Sequence, residues 1–216
     1  MADDNPIVFI VDDDESIRNA LSRLIKSVGL KAETFSSAND FLKHDPYDGP
    51  ACLVLDIRMP GLSGLDLQAE LAKAKRTLSI VFITGHGNIP MSVQAIKAGA
   101  VDFLEKPFDE QALLDAVHLG IQKDRAAKEK QAELREIQKR VKSLTPRERE
   151  VFALVVTGML NKQIAFEMGI SEKTIKVHRA RVMQKMQAES LADLVRMAAK
   201  AGVKPVTGYP LKENGI

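Results

Sequence analysis

The chain has little cysteine and no long apolar run. Cys52 is the single cysteine among 216 residues, so no intramolecular disulfide can form, and its place inside ACLVL predicts a small buried hydrophobe. No run approaches the ~18 apolar residues of a membrane-spanning helix. The start, MADDNP, has neither the basic segment nor the apolar stretch of a signal peptide. These absences predict a cytoplasmic protein that does not associate with a membrane.

The charge is divided unevenly along the chain. Residues 1–122 carry 11 Lys and Arg against 18 Asp and Glu, a net charge of −7, whereas residues 123–216 carry 20 against 11, a net charge of +9. The total length suits two ordinary domains of ~100 residues each. The split therefore predicts two domains with different partners, of which the basic one is a candidate for binding nucleic acid or another anionic surface.

Apolar, strand-like runs alternate with helix-period segments in residues 1–122. The predicted strands are 7–12, 31–35, 51–56, 79–84 and 101–105. The predicted helices are 15–28, 37–44, 65–73, 91–98 and one that begins at 109. This alternation is typical of an α/β doubly wound, five-stranded parallel sheet.

Chemically active side chains stand at the ends of four of these strands: Asp12 and Asp13, Asp56, Thr84, and Lys106. Ligands of doubly wound sheets bind outside the carboxyl ends of the strands, so these side chains are expected to converge. Crowded carboxylates repel one another unless a cation offsets their charge, and Mg²⁺ prefers such oxygen ligands. Asp56 could then take up a phosphoryl group whose oxygens Lys106 and Thr84 would contact. Taken alone, however, the aspartates could simply begin a helix.

A long helical segment follows, and its role is open. Residues 123–143 are dense in strong helix formers and form the predicted linker. Leu134, Ile137 and Val141 are spaced as in a coiled-coil seam. The segment is therefore either a solvated linker helix or a short dimerising coiled coil, with these three residues at the interface.

Residues 144–202 have an all-helical pattern with four predicted helices. Thr145, Asn161, Ser171 and Ser190 are expected to cap the amino ends of these helices. Two short helices joined by the tight MGIS connection predict a helix-turn-helix unit. Residues 203–216 are expected to form a loose tail.

The second helix of this unit, 172–186, has two distinct faces. The apolar face is predicted to pack inward, and the opposite face can lie in a DNA major groove. This opposite face carries Lys173, Lys176, Val177, Ala180, Arg181 and Gln184. Residues 144–199 carry a net charge of only +3, from 9 basic and 6 acidic residues, so the motif rather than the charge predicts DNA binding.

Several motifs together resemble the two-component response regulators of the NarL/FixJ type. They are VDDDE, LVLDIRMPGLSG, FITGHGN, AGAVDFLEKPF, LTPREREVFALV and NKQIAFEMGISEKTIKVHRARVMQKM. The resemblance covers nearly the whole chain. It implies a flavodoxin-like receiver domain in 1–122 and a LuxR-type helix-turn-helix domain in 144–202.

The resemblance also implies roles for individual residues. Asp56 would be phosphorylated by a sensor histidine kinase, and Thr84 and Phe103 would be the switch pair. Phe103 stands where many relatives have tyrosine, so this switch would rely on packing alone. Mg²⁺ would be held by Asp13, Asp56 and the main-chain carbonyl of Arg58, with Asp12 acting through water. Lys106 would precede a cis peptide bond.

The DNA contacts follow in the same way. Lys176, Val177 and Ala180 occupy the base-reading positions of the family, and Lys173 and Arg181 share their face of the helix. The residues expected to contact DNA phosphates are Asn161, Lys162, Thr174 and Arg179.

The expected function is phosphorylation-dependent regulation of transcription. Phosphorylation would promote homodimerisation through residues 90–106 and binding to a pseudo-palindromic double-stranded DNA site. The resemblance to the family implies an activator, with RNA polymerase as a further partner. One rival is a DNA binder that uses its receiver only as a dimerisation surface. The other is an enzyme, an aspartyl-phosphate phosphatase, which the basic domain and the place of Asp56 on the third strand disfavour. We therefore expect no enzymatic activity beyond the receiver's own phosphorylation and dephosphorylation.

Overall fold

The computed structural model of the protein describes residues 5–85 and 89–203. The expected tail, apart from Val203, lies outside these residues, as does His86 of the FITGHGN motif. The chain divides into two compact units, with the boundary between Glu129 and Lys130. None of the helices in these ranges combines the length and the hydropathy of a membrane-spanning segment.

The first unit is the predicted doubly wound sheet. Its strands are β1 (Ile7–Val11), β2 (Lys31–Phe35), β3 (Ala51–Asp56), β4 (Ser79–Thr84) and β5 (Asp102–Glu105). Its helices are α1 (Glu15–Ser27), α2 (Ala38–Lys43), α3 (Gly64–Lys73), α4 (Ile89–Lys97) and the first part of α5 (Glu110–Ser143). All neighbouring strands are parallel, in the order β2-β1-β3-β4-β5. The predicted fold class is confirmed.

Apolar residues on both faces of each central strand explain why this sheet is buried. Along β1, Phe9 and Val11 point into one core with helices α2, α3 and α4. Val8 and Ile10 point into a second core with α1 and α5. This alternation is the period of two expected of a strand, and burial of both faces accounts for the continuous apolar runs in the sequence.

Cys52 is fully buried in β3, as its apolar neighbours predicted. Its side chain faces Gly120 of α5, where an added Cβ would lie 2.6 Å from the Cys52 Sγ. Glycine therefore lets α5 approach the sheet closely at this point. Burial raises the pKa of the Cys52 thiol above its ordinary value.

The first unit extends seven residues beyond its predicted end at 122. Asp124 of α5 is buried, and its carboxylate accepts a hydrogen bond of 2.8 Å from the main-chain N–H of Ala51. It also pairs with Lys128 at 2.9 Å. Lys128 in turn donates to the carbonyls of Tyr47 and Gly49. Two turns expected to be linker are thereby fastened to the segment that leads into β3.

The second unit comprises the end of α5 and four further helices. These are α6 (Pro146–Val155), α7 (Asn161–Met168), α8 (Glu172–Met186) and α9 (Leu191–Lys200). Their core includes Ile137, which is only 3% exposed, with Val141 packed against it. Leu134 is partly buried. Ile137 and Val141 therefore pack against the chain's own helices. The coiled-coil interpretation would require them to be exposed to a partner helix.

The predicted caps are confirmed at three of four helices. Thr145 forms a capping box with Glu148, and Ser171 and Ser190 accept the main-chain N–H groups of the residues three positions later. The prediction for Asn161 is wrong, because Leu160 occupies the capping position and its N–H is accepted by Gln163. Gly169 ends α7 with a left-handed backbone, which makes the tight turn into α8.

Candidate functional site

The strand-end side chains singled out in the sequence lie along one edge of the sheet. Asp12 directly follows β1, Asp56 and Thr84 are the last residues of β3 and β4, and Lys106 directly follows β5. Because these strands are parallel, their carboxyl ends meet at this edge. Asp12, Asp56 and Thr84 are buried there.

Lys106 joins two carboxylates at this edge. Its Nζ lies 2.7 Å from Asp12 Oδ2 and 2.9 Å from Asp56 Oδ1. Its main-chain N–H donates to the Thr84 carbonyl at 2.8 Å, and its bond to Pro107 is cis. Although burial alone would lower the pKa of Lys106, the hydrogen bonds to both carboxylates raise it. The amine is therefore held charged beside Asp56.

Asp56 is a buried carboxyl whose two oxygens are both held. Oδ1 accepts from Lys106, and Oδ2 accepts from the main-chain N–H of Arg58 at 2.7 Å. Burial raises the pKa of Asp56 above its ordinary value, although Lys106 acts in the opposite direction. The arrangement fixes the orientation of the carboxylate, as a nucleophile requires.

Gly64 explains how α3 approaches this edge. A Cβ at this position would clash with the carbonyl oxygen of Asp56, which is part of the main chain. Only a residue without a side chain fits there. Gly64, the second glycine of the GLSG segment, therefore allows α3 to lie against the site. This role could not be assigned from the sequence.

The carboxylates fit a divalent cation in their chemistry. Asp12 accepts from the N–H of Asp14 at 2.9 Å as well as from Lys106, and Asp13 is exposed beside it. In the described part of the chain, no three His, Cys, Asp or Glu side chains are grouped to hold a metal. A site of Asp13, Asp56 and one main-chain carbonyl has only two such side chains and leaves room for water and phosphate oxygens, as Mg²⁺ favours.

The expected switch pair connects this edge to α4. Thr84 is buried at the end of β4. Phe103 of β5 lies opposite Phe82 of β4. It is partly buried and packs against the core that contains Ala95 of α4. Gln68 of α3 also donates to the Ala95 carbonyl. Phe103 and α4 therefore contribute to the same core.

In the second unit, α8 has the two faces that its sequence predicted. Ile175, Val182 and Met186 are fully buried in the core. The opposite face is exposed and carries Lys173, Lys176, Val177, Ala180 and Arg181. Lys176 forms an exposed pair with Glu172 at 3.2 Å, which is weak enough to be exchanged for another partner.

The residues expected to contact phosphates flank this face. Lys162 and Thr174 are exposed at the amino ends of α7 and α8. Asn161 and Arg179 are partly buried and bonded to each other, with Arg179 Nη1 3.0 Å from Asn161 Oδ1. This pair was not foreseen from the sequence, since its members are 18 positions apart.

The carboxyl end of α8 is held by a second set of contacts that the sequence analysis missed. Lys185 pairs with the buried Glu148 of α6 at 2.6 Å and donates to the Ser143 carbonyl. Arg140 donates to the Met186 carbonyl at 3.2 Å. Hydrogen bonding to Lys185 and to the N–H of Thr145 lowers the pKa of Glu148. The exposed face of α8 is thereby held on a fixed scaffold.

Comparison with known proteins agrees with this division. Residues 8–118 match the family described as "Response regulator receiver domain", and residues 142–198 match "Bacterial regulatory proteins, luxR family". The chain is 51% identical to Nodulation protein W of Bradyrhizobium diazoefficiens over 91% of its length and 87% of that protein. It is 43% identical to Transcriptional regulatory protein FixJ of Azorhizobium caulinodans, over 92% of this chain and 94% of that one.

Solved structures give the same answer. The structure of the response regulator StyR superposes with a TM-score of 0.80 at 50% identity, and the match covers 91% of this chain and 99% of that one. Full-length FixJ from B. japonicum gives a TM-score of 0.54 at 43% identity, over 91% and 97% of the two chains. The chain therefore belongs to the two-component response regulators of the NarL/FixJ kind, with a receiver domain and a LuxR-type DNA-binding domain.

Proposed function

We propose that Asp56 accepts the phosphoryl group from a sensor histidine kinase. An Asp56 oxygen attacks phosphorus, the bond from phosphorus to the donor breaks, and an acyl phosphate remains on the protein. This proposal rests on the contacts of Lys106 with both Asp56 and Asp12. The Lys106 ammonium is close enough to Asp56 to neutralise the charge of phosphoryl oxygens bound there. Thr84 donates a hydrogen bond to one of these oxygens.

We assign the cation of this step to the same edge. Mg²⁺, held by Asp13, Asp56 and the Arg58 carbonyl with Asp12 acting through water, would offset the repulsion between carboxylate and phosphoryl group. The chain's own part is to hold Asp56 in place through the Arg58 N–H and to keep Lys106 charged.

The test of this assignment is phosphorylation of the Asp56→Asn variant. With a small phosphodonor and Mg²⁺, the unsubstituted chain should gain one phosphoryl group by mass spectrometry, and Asp56→Asn should gain none. Asp45→Asn, an exposed aspartate outside the site, is the matched control and should be labelled normally. Labelling of Asp56→Asn would overturn the assignment.

We propose that phosphorylation acts through α4. Ile89, Val93 and Ile96 form an apolar stripe on this helix and are 80%, 44% and 47% exposed. Rearrangement of Thr84 and Phe103 would change the packing beneath α4 and so the surface available for dimerisation. This surface suits a homodimer better than Leu134, Ile137 and Val141, because two of those three pack within their own chain.

We propose that the exposed face of α8 enters the major groove of a pseudo-palindromic site. Lys173, Lys176 and Arg181 can reach guanine edges, and Val177 and Ala180 can contact thymine methyl groups. The residues proposed to contact phosphates are Asn161, Lys162, Thr174 and Arg179. Dimerisation raises affinity because two domains then bind one DNA molecule. The protein would act in the bacterial cytoplasm, where its DNA is, and, as an activator, alongside RNA polymerase.

The link between the two units is tested by DNA binding. Phosphorylated chain should sediment as a dimer. In footprinting it should protect DNA sites selected for binding to this chain at lower protein concentration than unphosphorylated chain does. Asp56→Asn should show neither change. Equal protection with and without phosphodonor would instead support the rival in which the receiver serves only as a dimerisation surface.

A further inference from the structure

The hydrogen bond between α7 and α8 has a direction that chemistry dictates. Arg179 Nη1 lies 3.0 Å from the side-chain oxygen of Asn161. An arginine side chain has donors only, so the amide oxygen of Asn161 must face it. The amide nitrogen of Asn161, with two N–H groups, is thereby turned away from Arg179.

The side-chain oxygen of Asn161 is available to Arg179 because Asn161 does not cap its helix. Leu160 holds the capping position, and its N–H is accepted by Gln163 rather than by Asn161. Asn161 is the first residue of α7, at the helix end that carries partial positive charge and favours anions. The exposed Lys162 follows it.

Arg179 itself is placed between the two faces of α8. It precedes the exposed Ala180 of the DNA-facing side and follows the partly buried His178. It is partly buried, and one of its nitrogens is already committed to Asn161. A side chain fixed by such a partner loses less conformational entropy when it binds a ligand.

We infer that Arg179 is a positioning residue that acts on DNA through Asn161. Its hydrogen bond to the amide oxygen holds the Asn161 amide so that the N–H groups donate to a backbone phosphate. This inference rests on the DNA contacts proposed above and changes one of them: Arg179 acts through Asn161 instead of making an independent phosphate contact.

A double-mutant cycle separates these two roles. Phosphate contacts do not depend on sequence, so the full-length chain can be titrated onto a mixed-sequence duplex of about 25 base pairs, with fluorescence anisotropy as the readout. Asn161→Ala and Arg179→Ala should each weaken binding roughly tenfold, and the double variant should be no weaker than the weaker single variant. The inference would be overturned if the double variant weakened DNA binding by the product of the two factors measured for the single variants. The cycle of Arg179→Ala with Lys173→Ala, whose factors should multiply, is the reference.

Asn161→Asp distinguishes positioning of a donor from support of the fold. The carboxylate still accepts from Arg179, so the thermal midpoint of the second unit should be kept or raised. It has no N–H to donate and repels phosphate, so affinity should fall at least as far as in Asn161→Ala. Binding like that of the unsubstituted chain, or a lowered midpoint, would overturn the inference. Failure of the unsubstituted chain to bind would instead refute the proposed DNA contacts, and this control shows it without any variant.

Discussion

At the scale of single residues, Lys106 has the widest influence on the receiver. It contacts carboxylates that lie 94 and 50 positions before it in the sequence, and its side chain is only 20% exposed. Removing it leaves Asp12 and Asp56 buried next to each other without their shared cation. Both the stability and the pH response of the receiver should therefore depend on this residue.

We expect Lys106→Met to destabilise the receiver in a pH-dependent way. Burial raises the pKa of Asp56 above its ordinary 3.8, and loss of Lys106 should raise it further. A carboxyl with a raised folded pKa stabilises the fold below its ordinary pKa, and that contribution is lost as the pH rises through the raised value. The loss in unfolding free energy should be roughly 2–4 kcal/mol at pH 7 and small near pH 3.

Denaturant unfolding across pH, with chelator present, measures this effect. Lys97→Met removes an exposed lysine and is the matched control, with an expected change within about 0.5 kcal/mol. This explanation would be contradicted if Lys106→Met lowered the free energy of unfolding by the same amount at every pH.

At the scale of elements, the strands could be predicted closely from the sequence and the end of the receiver could not. Strand bounds agree to within a residue because apolar runs and glycine or proline junctions are local signals. The extension of the first unit to Glu129 depends on Asp124, whose partner, the N–H of Ala51, lies 73 positions away. Similarly, Asn161 suits a helix cap by its residue type, but Arg179 from another helix determines its hydrogen bond.

We expect Asp124→Ala to destabilise the first unit by roughly 3 kcal/mol, because it leaves the Ala51 N–H and the Lys128 ammonium without this buried acceptor. Asp124→Asn keeps an acceptor oxygen and should lose less. Lys123→Ala, exposed on the same helix, should change stability by less than about 0.5 kcal/mol. Thermal unfolding of the full chain measures all three. Equal midpoints for Asp124→Ala and Lys123→Ala would show that the α5 extension is not fastened in this way.

At the scale of the whole molecule, the chain is two units with separate cores and opposite charge. The acidic unit contains the phosphoacceptor edge and the basic one the α8 face. Each core is formed by its own helices and strands, although α5 contributes residues to both. Perturbations of stability should therefore remain in the unit in which they are made.

Glu148→Gln tests this locality. Glu148 has a pKa lowered from its ordinary 4.5, so its contribution is present above that value and is lost as the pH falls through the lowered pKa. In calorimetry at pH 7, Glu148→Gln should lower only the transition of the second unit, and this difference should shrink as the pH falls through the lowered pKa. Asp124→Ala is the converse control and should lower only the first. A shift of both transitions by either variant would contradict separate units.

The packing of Cys52 against Gly120 gives the receiver a built-in chemical reporter. A thiol that is fully buried and held protonated reacts with labelling reagents only when α5 moves away from the sheet. The rate at which the native protein is labelled therefore measures how often this part of the receiver opens. Since the chain has no other cysteine, that rate can be followed before and after phosphorylation without any substitution.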